Sequence, residues 1–382
     1  MAWSDGEQAV PAAARVGGRV AYLDNLKAVL VAGVIFGHAW AGYTALGSWT
    51  YSDVREVSLR PVTVVLGEVV FGPFGLFVMG FFFLMAGLLT PGSLARKGPV
   101  RFARDRLLRL GVPLAVCTVV LLPPLVYGMD RATGHRAAVS LFDPGHLWFV
   151  EVLLIFSVAY ASVAYAAWRP VPVEQPVRPL RLRHLLALAA AVAAATFLVH
   201  LRFPLNSNQV LELHLWQWPQ CLALFGLGVA SARRGWLDPV PDGLRRACGT
   251  AALAGVAAIA AFAGLVGVGS VPTEDFFGGW HWAALATAAA EGILAVTVSV
   301  WLLGLAQRRL DQRTGTVRAA ATRGAYAAFL VQGHVLVGLA LILRPVHVPA
   351  EAKALAVSVL GVVVCFVLGW FLVARTALGR LL

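Results

Sequence analysis

Charge is what this 382-residue chain has least of. Lysine, arginine, aspartate and glutamate together supply 13% of it, about half the roughly 25% of a soluble domain. Hydrophobic residues supply 59%, too many to leave a water-facing surface of ordinary polarity. A soluble enzyme or binding module is therefore excluded. There are four cysteines: Cys117, Cys221, Cys248 and Cys365 stand singly in or beside apolar runs, without C-x-x-C spacing. They read as small buried apolar residues, not as a disulfide framework or a zinc site. No G-x-S-x-G, P-loop, H-E-x-x-H or H-x-x-x-H spacing occurs, and no G-x-G-x-x-G follows a strand. The common soluble hydrolase, nucleotide-hydrolase, dinucleotide and metalloprotease chemistries are thereby excluded, and no metal is expected. Residues 1–18 lack an apolar stretch, so they read as a flexible cytoplasmic tail and not as a signal peptide.

What the chain does have is long apolar windows. Ten recur, near 21–43, 63–90, 110–128, 147–168, 185–200, 215–232, 247–268, 282–305, 324–343 and 354–374. Each approaches the twenty or so residues that cross about 30 Å of hydrocarbon. The expected fold is an all-α polytopic membrane protein of about ten transmembrane helices. Residues 19–382 would form a single transmembrane domain, a multi-pass protein of the cell (plasma or inner) membrane. The proline-rich stretch at 169–184 would be a loop joining two halves of one bundle. Basic residues fix the orientation. With the N-terminus inside, twenty-three of the thirty-one lysines and arginines fall on inner segments and seven on outer ones, Lys27 lying within a span. That bias places both termini in the cytoplasm. It also accounts for the net charge of +12 without nucleic acid, since no basic soluble domain exists to bind one.

Within the spans, polar groups are few enough to weigh singly. His38 lies near the far end of the first span, eleven residues after Lys27. Eleven residues make just over three turns, so the two share a helix face roughly 16 Å apart. Such groups inside a membrane face a bundle interior or a wet cavity, although a snorkelling lysine and a histidine satisfied by a carbonyl fit the same pattern. The densest basic cluster is SLARKGPVRFARDRLLRLGVPL, between spans 2 and 3, where Arg106 and Arg109 run into a helix bounded by Pro113. Guanidinium forks there suit the phosphates of a nucleotide-bearing donor. An inner-leaflet headgroup or a plain topology signal fits them too. In the outer half, Glu68, His146, Glu151, Glu291 and His334 join His38 at similar depth. Each alone suggests a structural pair; together they suggest a shared polar cavity of bases or proton relays.

The run YLDNLKAVLVAGVIFGHAW, with Asp24, Lys27 and His38, resembles the opening helix of the integral-membrane acyltransferase 3 family. GLFVMGFFFLMAGLLTPGSLARKG is similar to that family's phenylalanine-rich helix, RFARDRLLRLGVPL to its arginine-rich stretch, and GHLWFVEVLLIF to its H-L-W-F element. LWQWPQCLALFGLGVASARRGWL and AYAAFLVQGHVLV resemble later family helices, so the likeness spans about residues 19–375. Two positions depart from the family pattern. Lys27 stands where arginine is usual, keeping charge but losing the bidentate fork. Gln332 stands where histidine is usual, with His334 two residues on, about 200° round the helix.

The resemblance implies a membrane acyltransferase that moves an acyl group, an acetyl group being expected, from acyl-CoA on the cytoplasmic side to a hydroxyl. The acceptor would be a glycan, a glycolipid or a small metabolite. Acyl-CoA would be a co-substrate, with no cofactor bound. His38 would act as general base or transient acyl carrier, and Lys27, Arg104, Arg106 and Arg109 would hold donor phosphates. Trp148 and the phenylalanines of span 2 would wall the acyl or pantetheine passage, while Glu151 and His146 would orient the acceptor. The alternative is a transporter or flippase in which His38 and Glu291 relay protons or bind substrate.

Overall fold

A computed structural model describes residues 21–44, 58–134, 144–166, 179–205, 207, 209, 212–266, 271–311 and 315–381. The expected tail at 1–18, most of the proline-rich loop at 169–184 and the Glu68 side chain lie outside the described residues. Ten long helices coincide with the ten apolar windows. They are α1 (Ala21–Ala41), α2 (Pro61–Lys97), α3 (Pro99–Thr133), α4 (Trp148–Ala166), α5 (Leu182–His200), α6 (Trp218–Arg234), α7 (Asp242–Val266), α8 (Trp282–Arg309), α9 (Thr316–Leu343) and α10 (Ala350–Arg375). Eight of them are long and apolar enough to cross a membrane by length and composition. The two exceptions have separate causes. α6 is 17 residues long, about 26 Å at 1.5 Å per residue. α1 carries Asp24, Asn25, Lys27 and His38 within its 21 residues.

α8 is the most enclosed helix, packed against α2, α5 and α7, with further contacts to α1 and α6. Its sequence explains this: Ala284, Ala288, Gly292 and Ala295 leave no bulk on the faces it shares, and all four are buried. Apolar side chains gain little by leaving lipid for protein, so helices here associate through close backbone approach. A Cβ on Gly292 would strike the Ala189 carbonyl of α5, and one on Gly228 the Leu84 carbonyl of α2. Gly324 and Gly369 bring α9 and α10 together in the same way.

α3 differs from the rest. It widens into π-helical turns at Leu107–Gly111 and Val116–Leu121, on either side of Pro113. Proline has no N–H and its ring clashes with the carbonyl four residues earlier, here that of Arg109, so the local winding loosens. The Arg109 carbonyl instead accepts a hydrogen bond from the Tyr326 hydroxyl of α9 at 3.3 Å. Further along, the Leu121 carbonyl lies 2.9 Å from His334 Nε2. These two contacts set α3 and α9 side by side in the same sense. Asn25 donates to the Leu310 carbonyl at the end of α8, at 2.6 Å, and Gln332 meets His38 at the other end of α1. α1, α3 and α9 therefore rise together from the end of the bundle that holds the arginine-rich stretch.

This arrangement predicts the labelling of introduced cysteines. Arg104→Cys should react with a membrane-impermeant thiol reagent only after cells are opened, whereas Arg60→Cys, at the opposite end, should react in intact cells. Labelling of Arg104→Cys in intact cells would invert the expected orientation.

Candidate active site

His38 reaches the bundle interior from α1. Its Nδ1 lies 3.1 Å from Gln332 Oε1 on α9. His146 approaches from a third element, the 3₁₀ turn Gly145–Leu147 that opens α4, and its ring meets His38 edge-on at 6.5 Å between centroids. Two α9 residues seat it. Phe329 lies 5.7 Å away, ring to ring, and Gly333 leaves the space the imidazole fills, since a Cβ there would come within 2.9 Å of His146 Cε1. An amide oxygen facing Nδ1 suits the ring tautomer with its hydrogen on Nδ1 and its basic nitrogen at Nε2. Gln332 is fully buried.

The other polar residues expected at this depth do not all join. His334 faces α3 and the Leu121 carbonyl, as two residues of rotation from Gln332 require. Glu151 is partly buried on the first turn of α4 and makes no hydrogen bond or ion pair among the described residues. Glu291 belongs to a separate cluster between α2, α5, α6 and α8. Its Oε1 accepts from Gln220 Nε2 at 2.9 Å and from the Thr196 hydroxyl at 3.5 Å, and Gln220 Oε1 in turn accepts from the Gly80 N–H at 3.3 Å. The expected single polar cavity is thus two clusters on different helices. Gln332 was missing from the expected site; the signal for it was its place where the resembling family has histidine. Among the described residues no group of three or more His, Cys, Asp or Glu is arranged to hold a metal.

At the arginine-rich end, Asp105 accepts from Lys97 Nζ at 2.7 Å and Arg109 Nε at 3.0 Å. Arg106 lies over the buried Phe102 ring, 5.0 Å from its centroid. Its Nε is buried with no hydrogen-bond partner among the described residues. Arg104 is exposed. Lys27 pairs with Asp24 at 3.7 Å one turn earlier on α1. Tyr326, which holds the Arg109 carbonyl, precedes Gln332 by six residues, about 9 Å of helix. One helix therefore ties the arginine-rich stretch to the histidine pair.

Trp148 packs with Phe83, Phe156 and Phe225 in an aromatic cluster between α2, α4 and α6. Its outer face stacks on His214 at 4.6 Å and 24°, and His214 stacks in turn on Trp216 at 5.3 Å. Burial pushes the His214 imidazole down to about 4, so at neutral pH an uncharged ring sits between two indoles.

A family model described as an acyltransferase domain matches residues 20–374. The chain belongs to the acyltransferase 3 family. It is an acyltransferase and a multi-pass membrane protein. No curated protein and no solved structure matches it at a significant level. The match covers the elements that carry the site: α1 with His38, the 145–147 turn with His146, the arginine-rich start of α3, and α9 with Gln332.

The contact at Gly333 gives a direct test of whether the His146 ring position matters to acyl transfer. Gly333→Ala should displace the ring and slow turnover by tenfold or more in protein that still folds; unchanged turnover would detach His146 from the reaction.

Proposed function

We propose that this acyltransferase carries an acyl group from acyl-CoA, bound from the cytoplasmic side, to the hydroxyl of a glycan, glycolipid or small metabolite. The observation that carries the proposal is the His38–Gln332 contact on α1 and α9, about 9 Å along α9 from the residue that holds Arg109. A base oriented by an amide then lies within reach of a donor whose phosphates rest on the basic end. Arg106 is the strongest phosphate ligand of the set. Its fork is stacked on Phe102 and keeps an unpartnered buried N–H, and guanidinium forks match phosphate oxygens. Arg104 and Arg109 add charge around it, and Lys27 supplies a point charge on α1.

The transfer step follows from the tautomer. His38 Nε2 takes the proton of the acceptor hydroxyl as its oxygen attacks the thioester carbonyl carbon. The C–O bond forms, the C–S bond breaks, and the departing thiolate takes the proton from the imidazolium to leave as the free thiol of coenzyme A. Gln332 holds Nδ1–H throughout, so the ring neither turns nor changes tautomer. His146, edge-on to His38, and Glu151, one turn on along α4, are the residues proposed to orient the acceptor. A general base of this kind contributes about 10²–10⁴ in rate.

His38→Ala should lose that factor in protein that still folds and keeps its affinity for acyl-CoA. Gln332→Leu should lose one to two orders of magnitude, and Gln332→Glu, which still accepts from Nδ1–H, should retain more activity than Gln332→Leu. Full turnover per folded molecule of His38→Ala, measured with radiolabelled acetyl-CoA, would end the catalytic assignment.

The donor assignment has its own measurement. Replacing Arg104, Arg106 and Arg109 together by alanine should weaken binding of acyl-CoA by a hundredfold or more and that of a phosphate-free thioester little, because the lost contacts are charge-assisted. Equal weakening of both would make the cluster a folding element. Lys27→Arg should be tolerated, since it keeps the charge.

A further inference from the structure

We propose that the cavity between α3 and α9, just past the His38–His146 pair, receives the acyl group of the donor and sets its length; this rests on the acyl-CoA assignment above. The cavity is continuous with the site, since His146 and Gly333 form part of its wall and His146 is the ring in edge contact with His38.

Direction is the second observation. α3 and α9 run in the same sense, tied at Arg109–Tyr326 and again at Leu121–His334. Along them the arginine-rich stretch comes first, and the cavity starts level with the histidine pair at Leu330 and Gly333 and runs on to Val337. From Arg104 to Thr118 is fourteen residues of α3, roughly 20 Å, a span that suits an extended pantetheine arm. From Gln332 to Val337 is a further 8 Å or so. A donor with its phosphates at the arginines and its reactive carbon at His38 has one place left for its acyl chain.

Composition is the third. Leu122 and Leu125 of α3 face Leu330 and Val337 of α9 across the cavity, and no Asp, Glu, Lys or Arg lines it. Hydrocarbon is at home there. The polar groups on its wall are the His146 and His334 rings and Thr118, whose Oγ1 is buried with no hydrogen-bond partner among the described residues. A buried hydroxyl left unpaired is a net loss that an arriving carbonyl oxygen removes. Thr118 lies on the second π-helical stretch of α3, so its place in the wall follows from the loosened winding that Pro113 starts. Thr118 is therefore the donor to the thioester carbonyl, and Leu122, Leu125 and Val337 are the residues that select chain length.

The test uses the purified full-length protein and measures binding of coenzyme A and of acetyl-, butyryl-, hexanoyl- and octanoyl-CoA by competition. Val337→Trp should shorten the accepted chain, losing tenfold or more in affinity for the longest acyl-CoA the wild type takes while free coenzyme A binds unchanged. Leu122→Ala should shift the preference toward longer chains, and it keeps the test open if the tryptophan variant does not fold. Thr118→Val should lower kcat by tenfold or more at unchanged affinity. A chain-length profile that stays the same in both cavity variants, or that falls equally for free coenzyme A, overturns the inference and leaves the donor assignment standing. Failure of the wild type to bind coenzyme A or any acyl-CoA removes both. Unchanged kcat in Thr118→Val removes the role of Thr118.

Discussion

An imidazole inside a hydrocarbon phase must be given a polar partner, and the identity of that partner decides what the ring can do. Burying an unpaired amide or imidazole costs several kilocalories per mole in such a medium, and α9 delivers Gln332 to His38 at 3.1 Å. That delivery constrains the helices around it. α1 and α9 must run in the same sense, and the Asn25–Leu310 bond holds the other end of α1 to the end of α8. α10 must pack on both, which it does through Gly324–Gly369 on α9 and through Ser358 on α1, whose hydroxyl donates to the Phe36 carbonyl at 3.4 Å. The turn before α4 must bring His146 against a helix surface that has no side chain at 333. A single hydrogen bond in an apolar setting thus depends on the register of four elements.

Pro113 is the second constraint, and its effect is transmitted by the backbone. A proline in the middle of a spanning helix leaves a carbonyl four residues earlier without its N–H. In water that carbonyl would be hydrated; in lipid a protein group must take it up. Tyr326 does so for Arg109. The same residue that ends the arginine-rich run therefore fixes α3 against α9, the helix that carries Gln332. The π-helical turns on each side rotate the rest of α3, which brings Thr118 and Leu122 onto the cavity.

Much of this was legible in the residues. Ten apolar windows returned as ten helices because a bilayer imposes length and continuity on each, and α1 stood out from them by the four polar groups that make it useful. His38, Lys27 and the arginine-rich stretch were visible because charge and imidazole are conspicuous against hydrocarbon. What could not be read was which helix faces which. His38, Glu291 and His334 lie at similar depth, yet depth is one coordinate of three, and the bundle separates Glu291 into the Gln220–Thr196 cluster while turning His334 toward α3. Gln332 escaped because an amide carries no charge to mark it. Trp148 was legible as an aromatic beside the site, but its stacking partner His214 comes from a loop sixty-six residues later.

The separation of the two polar clusters has a mechanical meaning. Glu291 and its partners lie between α2, α5, α6 and α8, the group of helices held by small-residue crossings at Gly87–Gly228 and at Gly292. Each hydrogen bond there joins two different helices: α6 to α8, α5 to α8, and α2 to α6. Buried polar bonds of this kind specify which helices pair, since hydrophobic side chains in lipid do not. The His38–Gln332 contact, His146 and the arginine-rich stretch lie instead on α1, α9, the turn before α4 and α3. α3 in particular makes few contacts and stays largely open to lipid, with Val116, Val119 and Val120 exposed. A substrate of changing length needs a wall that can yield, and a wall that yields needs a frame that does not. The bundle supplies the two from different helices, and α8, which touches α1 as well as α2, α5, α6 and α7, is the element through which the frame positions the site.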